Sequence, residues 1–146
     1  MQKLKDWDVH KGFSTDVIAD LSLNWLDTID KDKPFMLFTH FKATHEPFDF
    51  PERFNHLYEG VEIPEPASLF DFSPETTGRS FTGQPLSELA RRYGKASDDP
   101  EKWWCKYPGL PFYTNEMDSV SARKAVYQKF VKDFMRSGAA IDDNIG

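Results

Sequence analysis

The sequence predicts an α/β fold, helices packed on a mostly parallel sheet, incomplete within this chain and interrupted by long irregular loops. Three observations predict it. An amphipathic helical stretch is followed, after a short polar turn, by an apolar run from Phe35 to Phe41. The front half of that run is apolar on both faces, which suits a parallel strand covered on both sides. Beyond it the texture changes, with nine of the ten prolines lying between Pro47 and Pro111, before a long periodic stretch returns near Ser119.

The first helix is expected over Ser14 to Ile29. Ser14 or Thr15 can cap it, and Asp16 sets a negative charge near the positive end of the dipole. Val17, Ile18, Leu21, Trp25, Leu26 and Ile29 give it one apolar face. The stretch Asp30-Lys31-Asp32-Lys33-Pro34 then breaks it with a polar turn. Phe35 to Phe41 follows as the buried strand. Pro51 to Tyr58 reads as a short helix opened by its proline, and Leu86 to Tyr93 as another. Glu62 to Gln84 and Gly94 to Asn115 read as long connections, uncommon in a compact domain unless functional or packed on something else. The last helix starts near Ser119, with Val120, Val126, Phe130, Val131, Phe134, Met135 and Ile141 as its apolar stripe.

Composition narrows the function classes. The 146 residues carry 18 Lys+Arg against 24 Asp+Glu, a net charge of -6, so no basic surface invites nucleic acid. Aromatic residues make up 15%, with 13 Phe, against a disordered chain. No apolar run is long enough for a membrane span. A single cysteine, Cys105, excludes an internal disulfide and an all-Cys zinc cluster. The opening residues lack the apolar region of a secretory signal, which says little if the chain is part of something longer.

The inventory contains a physical conflict. A strand buried on both faces needs neighbours for its backbone hydrogen bonds, and only one convincing strand is present. Val61 to Ile63 is too short and too near proline to complete a sheet. Two readings remain: a small loop-rich α+β domain, or a segment of a larger α/β domain. The second accounts better for the lone strand.

The stretch from Phe38 to Phe48 is the most suggestive chemically. It leaves the strand and enters a Pro-rich loop, with Lys42 and His45 three residues apart. Ligands of open α/β sheets bind outside the carboxyl ends of strands, where both would sit. A fixed cation beside a protonatable imidazole suits an oxyanion such as sulfate, phosphate or carboxylate. The plainer alternative is a solvated lysine and a histidine that caps a turn, and spacing alone leaves that alternative ahead.

Residues Thr15 to Ser68 resemble the middle of type I sulfatases, the formylglycine-dependent branch of the alkaline-phosphatase-like superfamily. The resemblance rests on the helix from Thr15 to Leu26, on Asp32-Lys33-Pro34-Phe35-Met36-Leu37, and on Phe41-Lys42-Ala43-Thr44-His45-Glu46-Pro47. These are similar to the family's helix, its "DKPFFL" strand and its "K-A-P-H-x-P" loop. Pro51 to Phe54 and Val61 to Pro66 are similar to segments after that loop in bacterial polysaccharide-type sulfatases. Tyr127, with Gly138 to Gly146, resembles the family's helix containing "V-D-D-N-V-G". Phe70 to Met117 matches nothing specific.

The resemblance implies that the chain is the central segment, residues 1–146, of a single alkaline-phosphatase-like sulfatase domain. It implies hydrolysis of sulfate esters, on a sulfated small molecule or polysaccharide, by a parent enzyme for which a periplasmic or secreted location is plausible. His45 would contact the sulfate and could protonate the leaving oxygen, and Lys42 would stand at the same pocket. Thr44 departs from the family's proline but keeps the Lys-to-His spacing. Cys105 does not match the formylglycine motif, having no small residue two on and no arginine four on. The formylglycine nucleophile and the Ca2+ ligands are therefore expected outside this chain. Asp142 and Asp143 fall where the family places structural residues. This chain alone is expected to be inactive.

Other readings stay open. A phosphodiesterase or phosphonate hydrolase shares the fold and an oxyanion site, and a non-catalytic remnant or binding module lies in a different class. His40 reads as a core or supporting histidine and His56 as helix surface, while His10 near Asp6 and Asp8 hints at a metal but reads more simply as solvated. Trp103, Trp104, Tyr107 and Tyr113 suit either a sugar-stacking platform or a lid. Cys105 reads as a free thiol, at least partly buried.

Overall fold

The computed structural model of the chain describes residues 9–45, 48–70 and 117–146. Two α-helices dominate them: α1, Ser14–Thr28, and α2, Ser119–Ile145. The two pack together, and the 3-10 turn Glu52–Phe54 and residues 63–69 lie against α2. The expected Leu86 to Tyr93 helix, the Gly94 to Asn115 connection, the Trp103–Tyr113 aromatics and Cys105 lie outside the described residues.

Helix α1 forms within a residue of its expected bounds, but its cap and face differ from expectation. Phe13 occupies the N-cap position without a side-chain cap, and Val17 N–H donates to its carbonyl at 3.0 Å. Ser14 and Thr15 are already helical, and the Asp16 carboxylate turns away to Arg53. The residues most buried on α1 are Thr15 and Ala19, while Leu21 and Trp25 of the expected apolar face stay exposed. The most buried positions of α1 therefore carry small side chains, while Val17, Ile18 and Leu26 are half-buried. Thr28 Oγ donates to the Trp25 carbonyl, and Ile29 leaves the helix in an extended conformation. The polar turn forms as expected: Asp30 accepts from Lys33 N–H through its carbonyl at 3.2 Å and pairs with Lys33 Nζ at 2.9 Å.

The strand over Phe35 to Phe41 does not form. Among the described residues there is no strand, and this segment finds no ladder partner. Its apolar side chains are exposed rather than covered on both faces, Met36 by 76% and Phe38 by 73%. The physical reason is the one the sequence already contained: a strand exists through its neighbours. Two contacts hold the segment to α1 instead, the Trp25–Phe35 ring pair at 5.7 Å and a hydrogen bond between the Ser22 and Thr39 hydroxyls at 3.1 Å.

Helix α2 begins where Asp118 accepts from the Val120 and Ser121 amides and from Ser121 Oγ, a strong N-cap. Its fully buried stripe is Val126, Asp133, Arg136, Ser137 and Ala140; of the expected apolar row only Val126 is among them, while Phe130, Val131, Met135 and Ile141 are half-buried. Val120 and Phe134 are in fact exposed. Asp133 is held by Lys129 and by Arg136 at 3.0 Å, and burial pushes its carboxyl up despite both cations. Arg136 also donates to the Leu57 carbonyl at 3.0 Å and the Asn55 carbonyl at 3.2 Å, and lies over the Phe50 ring.

The expected Pro51 to Tyr58 helix shrinks to one 3-10 turn, Glu52–Phe54, followed by i to i+3 turns whose Asn55 and Leu57 carbonyls accept from Arg136. Positive φ at Tyr58 (62°) and Gly60 (70°) then turns the chain away from a helical path. Further on, residues 61–70 run along the first half of α2. The Gln128 amide accepts from Ile63 N–H at 2.9 Å and donates to its carbonyl at 2.7 Å, pairing with the backbone as a strand would. Tyr127 donates to the Pro64 carbonyl, Lys124 pairs with Glu65, and Arg123 Nε donates to the carbonyl of buried Leu69, within the 3-10 turn Ala67–Phe70.

Candidate functional site

Lys42 and His45 stand in one tight turn. His45 N–H donates to the Lys42 carbonyl at 2.9 Å, and both residues are exposed. Between them the Ala43–Thr44 peptide is cis, and both residues are half-buried. The turn thus presents a lysine and a histidine outward while its middle faces the protein.

Both sides of the turn are anchored. On the N-terminal side Thr39 is bonded to Ser22 of α1. On the C-terminal side Phe48 is buried edge-on against Phe130 at 4.9 Å and Phe134 at 5.6 Å. Burying a phenylalanine with two such ring contacts contributes about 3 kcal/mol or more. Asp49 beside it stays exposed, yet nearby burial raises its carboxyl above the usual range.

A second polar cluster gathers residues far apart in sequence. Arg53 donates to both Asp16 oxygens, at 2.7 and 2.8 Å, and to Asp143 Oδ2 at 2.9 Å. Asn144 donates to Asp16 Oδ1 at 2.8 Å. The guanidinium beside Asp16 holds its carboxyl below the usual range. Asp143 is thus an ion-pair partner at the end of α2, consistent with a structural role. Among the described residues, no three His, Cys, Asp or Glu side chains gather as a metal ion requires. His10 and His56 are exposed, and His40 is exposed and stacked on Phe38 at 6.2 Å rather than buried in a core.

Sequence reasoning found the Lys42–His45 spacing but missed what holds it. Phe48 was only one of many phenylalanines, and Arg53 carried no signal of its two distant partners. Gly138, in the middle of a long helix, was a local irregularity that could have drawn attention.

The family model for sulfatases matches residues 2–137, and the chain belongs to the sulfatase family. Membership carries with it the alkaline-phosphatase-like α/β fold. The matched span contains the Lys42–His45 turn and stops just before Gly138. A curated relative, the N-acetylglucosamine-6-O-sulfatase of Bacteroides thetaiotaomicron, is 28% identical over 166 aligned residues. That alignment takes in 94% of this chain and 30% of the relative, so the chain spans under a third of its relative's length. Neither match favours a phosphodiesterase or phosphonate hydrolase. No helix among the described residues is long and apolar enough to cross a membrane.

Proposed function

We propose that the chain is a central segment of a sulfatase that hydrolyses sulfate esters of carbohydrates, and that Lys42 and His45 belong to its sulfate pocket. The observation that carries this reading is the family match over residues 2–137, with the Lys42–His45 turn inside it and both side chains presented outward. The carbohydrate class rests on the relative that acts on N-acetylglucosamine-6-O-sulfate groups by its name.

In this reading Lys42 places an ammonium against the sulfate oxygens, offsetting the charge that builds on them as the S–O bond breaks. His45 holds a proton for the departing ester oxygen, the work of a general acid. Sulfatases of this branch use Ca2+ and a formylglycine as electrophilic and nucleophilic partners. On the resemblance, the residues that supply both are placed in polypeptide outside this chain. The exposed apolar run from Phe35 to Phe38 fits the same reading, since an apolar segment of that length calls for covering strands.

The test is turnover of a sulfate ester by the full-length enzyme carrying this segment. His45→Ala is expected to lower kcat/KM roughly a hundredfold or more, the scale of losing a transition-state contact or an acid catalyst. Lys42→Ala is expected to lower it by less. Full activity in both variants would reduce the turn to a structural loop.

A further inference from the structure

We propose that Gly138 of α2 is a positioning residue for the Lys42–His45 turn, its missing side chain leaving the seat on which Thr44 rests. The inference rests on the reading of that turn as a sulfate-contacting element, and it concerns what sets the turn's place.

The geometry starts at the helix. A Cβ built at Gly138 would meet Thr44 Cγ2 at 4.0 Å, an ordinary van der Waals contact. A single added carbon fits there, with Thr44 Cγ2 as its nearest neighbour. Thr44 stands between the two outward-facing residues and is half-buried, so its side chain is the part of the turn that touches down. A branched side chain at 138 adds two carbons about one C–C bond, ~1.5 Å, past its Cβ, and one aimed at Thr44 would close the 4.0 Å separation to a clash.

The helix cannot yield to relieve that clash. Ser137 and Ala140 on either side of Gly138 have no exposed surface, and Arg136 is tied to Asp133 and to two loop carbonyls. Nor can the flanks of the turn slide freely, because Thr39 is bonded to Ser22 and Phe48 is wedged between Phe130 and Phe134. Added volume must therefore go into the turn itself, moving Lys42 and His45 relative to whatever they hold. Helix propensity works in the opposite direction: valine suits a helix interior better than glycine does. Lost activity in a valine variant would not trace to a weakened helix.

The experiment uses the full-length enzyme and four variants: Gly138→Ala, Gly138→Val, Gly138→Val with Thr44→Gly, and His45→Ala. Turnover of an aryl sulfate is expected to stay within about threefold for Gly138→Ala and to fall about tenfold or more for Gly138→Val, as misplacement near 1 Å does. Removing the Thr44 side chain is expected to recover most of that loss, a coupling that a general folding defect would not show. Crystal structures of the same variants should place the 42–45 backbone about 1 Å from its wild-type position in Gly138→Val and return it in the double variant. An unmoved turn, or a loss of activity that Thr44→Gly leaves untouched, overturns the inference. An active His45→Ala enzyme would instead overturn the reading of the site, while the crystallographic comparison still decides the seat.

Discussion

Replacing Asp133 by alanine tests the most consequential polar feature of α2. Asp133 is 1% exposed and holds the Lys129 and Arg136 side chains, which are 8% and 4% exposed. Removing it takes away the carboxylate that both cations share on one buried helix face. Breaking a buried pair in this way costs about 3–5 kcal/mol, because the surviving charge stays desolvated. Arg136 retains the Asn55 and Leu57 carbonyls, which places the loss toward the lower end. Against a stability of about 5–15 kcal/mol, such a loss is visible in any urea titration. Asp133→Asn should cost less, since the amide oxygen still accepts and ionising this carboxyl is itself disfavoured by burial. In a Lys129→Met background the cost of Asp133→Ala should shrink by about 1–2 kcal/mol, because the Lys129 ion pair with Asp133 is already gone. A loss under about 1 kcal/mol, or one indifferent to Lys129→Met, would refute the account of the stripe.

Two further perturbations probe the anchors. Arg53→Met should cost only about 1 kcal/mol, since the guanidinium and both carboxylates are substantially exposed and screened. Its deficit should vanish in acid: the Asp16 carboxyl is lowered in the fold, so its contribution is present above the ordinary value of 3.8 and is lost as pH falls through the folded value. Unfolding curves for wild type and Arg53→Met that stay apart at the acid end would contradict this. Phe48→Ala should cost about 3–5 kcal/mol and loosen the Lys42–His45 turn, measured by denaturation and by backbone amide exchange at residues 42–45.

How much of the fold was legible depended on what each element needed. Both helices lay in the sequence, because a 3.6-residue rhythm is a local property and α2 in particular runs for 27 residues. The contacts of α2 were not legible. A hydropathy reading looks for large apolar residues, whereas the buried face carries Asp133, Arg136 and Ser137, made tolerable by partners from positions 55, 57 and 129. Apolar runs are ambiguous in the opposite way. Phe35 to Phe41 has the composition of a buried strand, but composition cannot supply the second strand.

The candidate site divides along the same line. Lys42 and His45 are readable because their chemistry and spacing sit in four consecutive residues. The forces that place them come from Ser22, Phe48, Phe130 and Gly138, spread over more than a hundred positions. None of these carries chemistry that a motif would record. The glycine matters by what it lacks, and the phenylalanine matters only because two other rings happen to meet it. A turn anchored on both sides and resting on a helix can hold two side chains still without any of the residues that hold it approaching a ligand. Substitutions along α2 should therefore sort by where they press on the 39–48 segment, and not by their distance from Lys42 and His45 in sequence.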